Sequence, residues 1–139
     1  MAAPLISGIY CKQSSKAKLD YLLENGLFQH EELDGNLPDF GGRIGGENLA
    51  LHHKSDTLDQ VVDGWMASPH HRAVIMDPDF KYAGYASGLL PASFETITMG
   101  PGVYLPDSGT YSTEPMELPI PEADRGQMKL YCLHMTATD

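Results

Sequence analysis

The sequence predicts an α+β layered fold, on three observations. Leu58, Val61, Val62, Trp65 and Met66 fall at i, i+3, i+4, i+7 and i+8, the spacing of one buried helical stripe. Residues 93–99 alternate instead, with Phe94, Thr96 and Thr98 on one side and Glu95, Ile97 and Met99 on the other. Lys129 to Thr136 reads as a last strand. Helices packed on three antiparallel strands make an α+β layered domain with a small antiparallel sheet.

In chain order, residues 14–25 read as the first helix. Ser14 or Ser15 can cap it, Ala17, Leu19, Leu22 and Leu23 lie roughly on one face, and Asn25-Gly26 stops it. Residues 31–46, rich in Gly, Asp, Asn and Pro, read as a loop. Ser55, Asp56 or Thr57 caps the helix of the apolar stripe. Ser68-Pro69 ends that helix and restarts a short one, with Ser68 as N-cap and Pro69 at the first position, where its missing N–H costs nothing. Lys81 to Ser87 and Ser93 to Met99 are separated by a short loop containing Gly88 and Pro91 and read as an antiparallel hairpin. Residues 100–128 read as mostly irregular.

The 139 residues suit one domain, 1–139, with room for a hydrophobic core. Apolar residues at 42% against 20% charged exclude a disordered chain. A net charge of −10 opposes binding to phosphate backbones and to anionic membranes, so nucleic acid is not an expected partner. No apolar run is long enough to span a bilayer. The N-terminus lacks a basic region followed by an apolar stretch, so no signal peptide is expected in this chain. Cys11 and Cys132 can form a long-range disulfide or remain two buried thiols, and the sequence leaves both open.

Four segments, in order, carry a family resemblance. They are Asn25-Gly26-Leu27-Phe28-Gln29-His30 followed by Asp34-Gly35; Gly46-Glu47-Asn48-Leu49-Ala50; Trp65-Met66-Ala67-Ser68-Pro69-His70-His71-Arg72; and Asp77-Pro78-Asp79-Phe80 leading to Gly84-Tyr85-Ala86. Together they resemble the bacterial branch of the CAP (SCP-like) superfamily over residues 17–100. The resemblance implies a three-layer α-β-α sandwich, a cleft across which His30 and Glu47 face each other, and an extracellular or cell-envelope protein.

The departures bear on function. The family's first helix is missing or replaced before Ser14. Phe94 stands where animal members carry a second histidine, Ile97 stands where a glutamine is usual, and no second glutamate matches. The family's two-histidine, two-glutamate set is therefore incomplete, and residues 101–139 lie outside the resemblance.

His30 and Glu47 are the leading candidates for a site. An imidazole titrates near neutrality and serves as acid, base or metal ligand, and a carboxylate beside it orients the ring or shares a cation. Asn48 and His71 join them as ligand-binding candidates. If a metal binds, His30 and Glu47 are its expected ligands and zinc, or another divalent cation, its expected identity; His52, His53, His70 or His71 would have to complete the set. Ser68 lacks a nucleophile elbow. Trp65 reads as core, and Arg72 as a structural donor. Gly41, Gly42, Gly45 and Gly46 permit positive φ and close backbone approach, in a loop able to aim Glu47 into the cleft or to offer N–H groups to an anionic ligand. The functional expectation is a CAP-like binding module for a small ligand, lipid, glycan or peptide. The alternatives are a metal-assisted hydrolase using the same pair, and a protein-interaction domain using the acidic, Pro-rich segment 101–128. The missing helix would leave apolar surface for a homodimer partner to cover.

Overall fold

The computed structural model describes residues 5–30, 44–100, 103 and 111–138. Asp34-Gly35, Gly41, Gly42 and most of 101–110 lie outside the described residues. In chain order the elements are β1 (Ile6–Ser7), α1 (Ile9–Asn25), β2 (Leu27–Phe28), β3 (Gly46–His53), α2 (Leu58–Ala67), α3 (Pro69–Ile75), β4 (Tyr82–Leu89), β5 (Thr96–Met99), β6 (Met116–Pro119) and β7 (Met128–Thr136), with a 3-10 turn at Glu122–Asp124.

The main sheet has four strands in the order β1-β4-β7-β3. β7 is its spine, pairing antiparallel with β4 from Tyr82↔Thr136 to Leu89↔Lys129 and with β3 from Gly46↔Met135 to His53↔Met128. A smaller sheet runs β2-β5-β6. The expected hairpin between the 81–87 and 93–99 segments is not formed: β4 belongs to the main sheet, and β5 pairs parallel with β2 and antiparallel with β6. The physical reason is β7. It offers β4 a complete eight-residue ladder, while the turn at Pro91, closed by Phe94 N–H donating to the Pro91 carbonyl, carries the chain off to the second sheet.

The residues predicted as a loop before Glu47 end in a strand the sequence reading missed, because β3 alternates weakly and carries two histidines at its end. β3 and β7 nevertheless show the period of a sheet buried on both faces. Leu49, Leu130 and Cys132 face α1, packing with Leu19 and Leu22. Ala50 and Tyr131 face the other way, packing with Val61 and Trp65 of α2. Helix, sheet and helix thus form the three layers of an α-β-α sandwich.

Helix α1 starts five residues earlier than expected. Gly8 precedes it with no side-chain cap, and Ser14 and Ser15 sit buried in its second turn rather than at its start. Its end was legible: Gly26 takes φ 63° and its N–H bonds back to the Leu22 carbonyl. Thr57 and Gln60 form the reciprocal capping box of α2. Trp65 is core, 5% exposed, with Nε1 donating to the Leu49 carbonyl at 3.0 Å. Cys11 and Cys132 are both buried and free, so the disulfide alternative is not the one adopted.

α1 lies so close to β4 that a Cβ on Gly84 would run into the backbone at Cys11 and Lys12. Gly84→Ala should therefore lower stability by about 1–3 kcal/mol in urea denaturation. Gly64, in α2, has nothing within 4 Å of its Cβ position. Gly64→Ala should raise stability by about 0.5–1 kcal/mol in the same measurement. Equal effects at the two positions would contradict this packing.

Candidate functional site

Glu47 enters from β3, directly opposite His134 of β7 in the strand register. Its carboxylate is the meeting point of three donors. His30 Nδ1 lies 2.9 Å from Oε1, His134 Nε2 lies 2.5 Å from Oε2, and Lys18 Nζ lies 3.4 Å from Oε1. Lys18 is only 1% exposed and also donates to the His30 backbone carbonyl at 2.7 Å. Behind His134, Ser14 Oγ meets Nδ1 at 2.7 Å and lies 3.2 Å from the Cys11 carbonyl. Burial pushes the Glu47 carboxyl up, but the hydrogen bonds from His134 and His30 and the charge of Lys18 outweigh it and hold the pKa at about 2. Glu47 is therefore a carboxylate, an acceptor only, and both imidazoles donate to it.

The pairing of His30 with Glu47 is thus formed. The glycine expectation is corrected at the two positions that can be described. Neither Gly45 nor Gly46 has positive φ. They are small because a Cβ at either would meet the Phe80 ring, and β3 itself aims Glu47.

His30 turns one edge to Glu47 and, besides a hollow lined by Ile44, Gly45 and Gly46, borders two that His71 also lines. One, about 230 Å³, is walled by Phe28, Leu49, Leu51, Met99 and Val103, with His30 and His71 as its imidazoles. The other, about 280 Å³, joins His30 and Glu47 to Asn48, His70, His71 and Tyr111. His71 Nδ1 lies 2.8 Å from Ser68 Oγ, so the Ser68 hydroxyl holds the ring instead of capping α3 as expected. Burial, with the nearby charges of His30 and His70, lowers the His71 pKa and keeps that ring neutral. Asn48 is buried and its amide donates to the His71 carbonyl at 3.1 Å, fixing α3 against β3 at the cleft wall.

Other candidates are elsewhere. His52 pairs with Asp56 at 2.9 Å and stands edge-on to Tyr131, and His53 bonds Ser55. Arg72 lines a separate hollow between α2 and α3. Among the described residues, one group gathers metal-ligating atoms: Glu47, Cys132 and His134, all within 4.8 Å of one another. Burial and the Glu47 charge raise the Cys132 thiol pKa well above its ordinary value, so it is a thiol and not a thiolate.

The cysteine-rich secretory protein (CAP) family model matches residues 10–98. The chain belongs to the CAP family. No curated protein matches it in sequence. In solved structures the CAP chain resembles an outer surface protein from Borrelia burgdorferi, with a TM-score of 0.52 and 15% identity over 97% of this chain and 79% of that one. That likeness concerns the fold. The CAP match ends before β7, so it does not reach the second imidazole of the site.

Lys18, Ser14, Cys132 and His134 were missed from sequence. A signal existed for each. Leu130, Cys132, His134 and Thr136 share one face of a period-2 strand, and Cys11, Ser14, Lys18 and Leu22 follow one helical face.

Glu47 titrates at about 2 in the folded chain against 4.5 when free. A lowered acid stabilises the fold fully above the unfolded value, and that contribution is lost as pH falls through the folded value. It amounts to about 3 kcal/mol. Glu47→Gln should flatten the loss of stability between pH 4.5 and 2 by about that amount in urea midpoints. An unchanged pH profile would show that Glu47 is not anchored as described.

Proposed function

We propose that this CAP domain is a binding module whose cleft takes a small amphiphilic ligand. One observation supports this most directly. Two imidazoles, His30 and His71, stand at the polar end of a hollow whose remaining walls are apolar. With Nδ1 of each ring engaged by Glu47 or Ser68, the Nε2 edges are the groups left for a ligand. Sites for small molecules combine apolar walls with a few placed polar groups. The apolar body of a ligand would lie against Leu51 and Met99, and its polar group would meet the imidazoles. Polar sugars suit such walls poorly.

Glu47 acts through His30 in this reading. Its two oxygens already serve His30, Lys18 and His134, so it orients the imidazole and keeps its Nδ1–H directed inward. A hydrolase would need a nucleophile or an activated water beside His30. Ser14, the hydroxyl in the hydrogen-bonded chain, is buried behind His134 and out of a substrate's reach. An extracellular or cell-envelope location is consistent with the family and with the outer surface protein of similar fold. No helix among the described residues is long and apolar enough to cross a membrane.

The test uses hexanol and hexanoate as probes in amide NMR titrations. Shifts should centre on Leu51, His71 and Met99. His71→Ala should weaken hexanoate about fivefold, the value of one hydrogen bond near 1 kcal/mol. Shifts scattered over the surface would end the reading. Turnover of a hexanoate ester that disappears in Glu47→Gln would replace it with the hydrolase.

A further inference from the structure

The interior side of Glu47 carries a set of groups that the cleft does not use. A carboxylate, a thiol and an imidazole, from Glu47, Cys132 and His134, bring their ligand atoms within 4.8 Å of one another. Three mixed ligands with one position left over is the kind of set that zinc or cobalt takes. His134 is 2% exposed and Cys132 is fully buried, so the set is shielded from water. A cation already serves it. The Lys18 ammonium lies 3.4 Å from Glu47 Oε1, and its side chain is 2% exposed. It is moored by a 2.7 Å bond to the His30 carbonyl.

We propose that Lys18 is the resident cation of this cluster, satisfying Glu47 with a single fixed charge and thereby excluding divalent metal from the Glu47–Cys132–His134 cradle. The inference does not depend on what occupies the cleft. A divalent ion in the cradle would face an ammonium only a few ångströms away, in surroundings that screen charge poorly. The ammonium has little room to withdraw, because the His30 carbonyl holds it.

Removing the charge should therefore expose a latent metal site. Binding of M²⁺ would form bonds from the metal to Cys132 Sγ, a Glu47 oxygen and His134 Nε2. The Cys132 S–H bond breaks and its proton leaves to the buffer. The His134 ring proton moves from Nε2 to Nδ1, and the Nδ1–H donates a hydrogen bond to Ser14 Oγ. Ser14 can then direct its own proton to the Cys11 carbonyl, 3.2 Å away. No electron is exchanged, and the metal remains divalent.

Cobalt(II) reports such a site through its thiolate charge-transfer band and the visible bands of a four-coordinate ion. Wild type, Lys18→Met, Lys18→Gln and the double variant Lys18→Met/Cys132→Ser are titrated with Co²⁺ under argon, with circular dichroism as the fold control. Wild type should show no thiolate band. Lys18→Met should show one, at one ion per chain, with affinity at least about tenfold tighter than wild type. The double variant should lose it. Lys18→Gln keeps a donor for the His30 carbonyl without the charge and repeats the test if Met is not tolerated. Variants that fold only when Co²⁺ is added support the proposal equally. A thiolate band in wild type overturns it, because Lys18 would then exclude nothing. So does its absence from both single variants, whether folded or unfolded with metal present.

Discussion

One buried carboxylate ties the first helix, the main sheet and the His30 segment together. Glu47 stands on β3, His134 on β7, Lys18 on α1 and His30 on the segment leaving β2, and all converge on its two oxygens. Taking a carboxylate and an ammonium out of water is costly, and only good geometry with every oxygen served repays it. Here each oxygen is served, and the net effect favours the charged form. An interaction of this kind specifies more than it stabilises. Replacing any one partner strands the others in the interior, so the helix, the edge strand and the His30 segment keep one relative placement.

That placement divides the site into a polar interior and an apolar cleft. On the inner side Lys18 is ion-paired to Glu47, and hydrogen bonds continue from Glu47 to His134 and Ser14 among buried residues. On the outer side His30 and His71 meet walls of Leu49, Leu51, Met99 and Val103. The inner chain fixes His30 twice, at its ring through Glu47 and at its carbonyl through Lys18. A ligand entering the cleft would find an imidazole already oriented, and little ordering would remain to oppose binding.

The legible parts of the fold were the local ones. The stripe of α2, the Gly26 stop and the Pro69 restart each depend on neighbours within a few residues. Non-local pairing was the part misread. Tyr82–Leu89 and Thr96–Met99 look like consecutive hairpin strands until the competing partner, β7, is known to lie between β4 and β3. Half of the site followed the same rule. His30 and Glu47 sit within motif segments that resemble the family, and the structure joins them. His134 is 87 residues from Glu47, in a strand beyond the matched region, so only the register brings it there. Lys18 was hidden by its residue type. A lysine on a helix reads as solvated, and only its place in line with Cys11, Ser14 and Leu22 marks it as inward-facing.

The charge state of Glu47 underlies both the anchored cleft and the closed interior, and a carboxyl-carbon NMR titration of the selectively labelled protein reads it directly. A midpoint near 2, well apart from the surface glutamates, is the predicted result. A midpoint at the ordinary 4.5 or above would mean that Lys18, His30 and His134 do not hold this carboxylate.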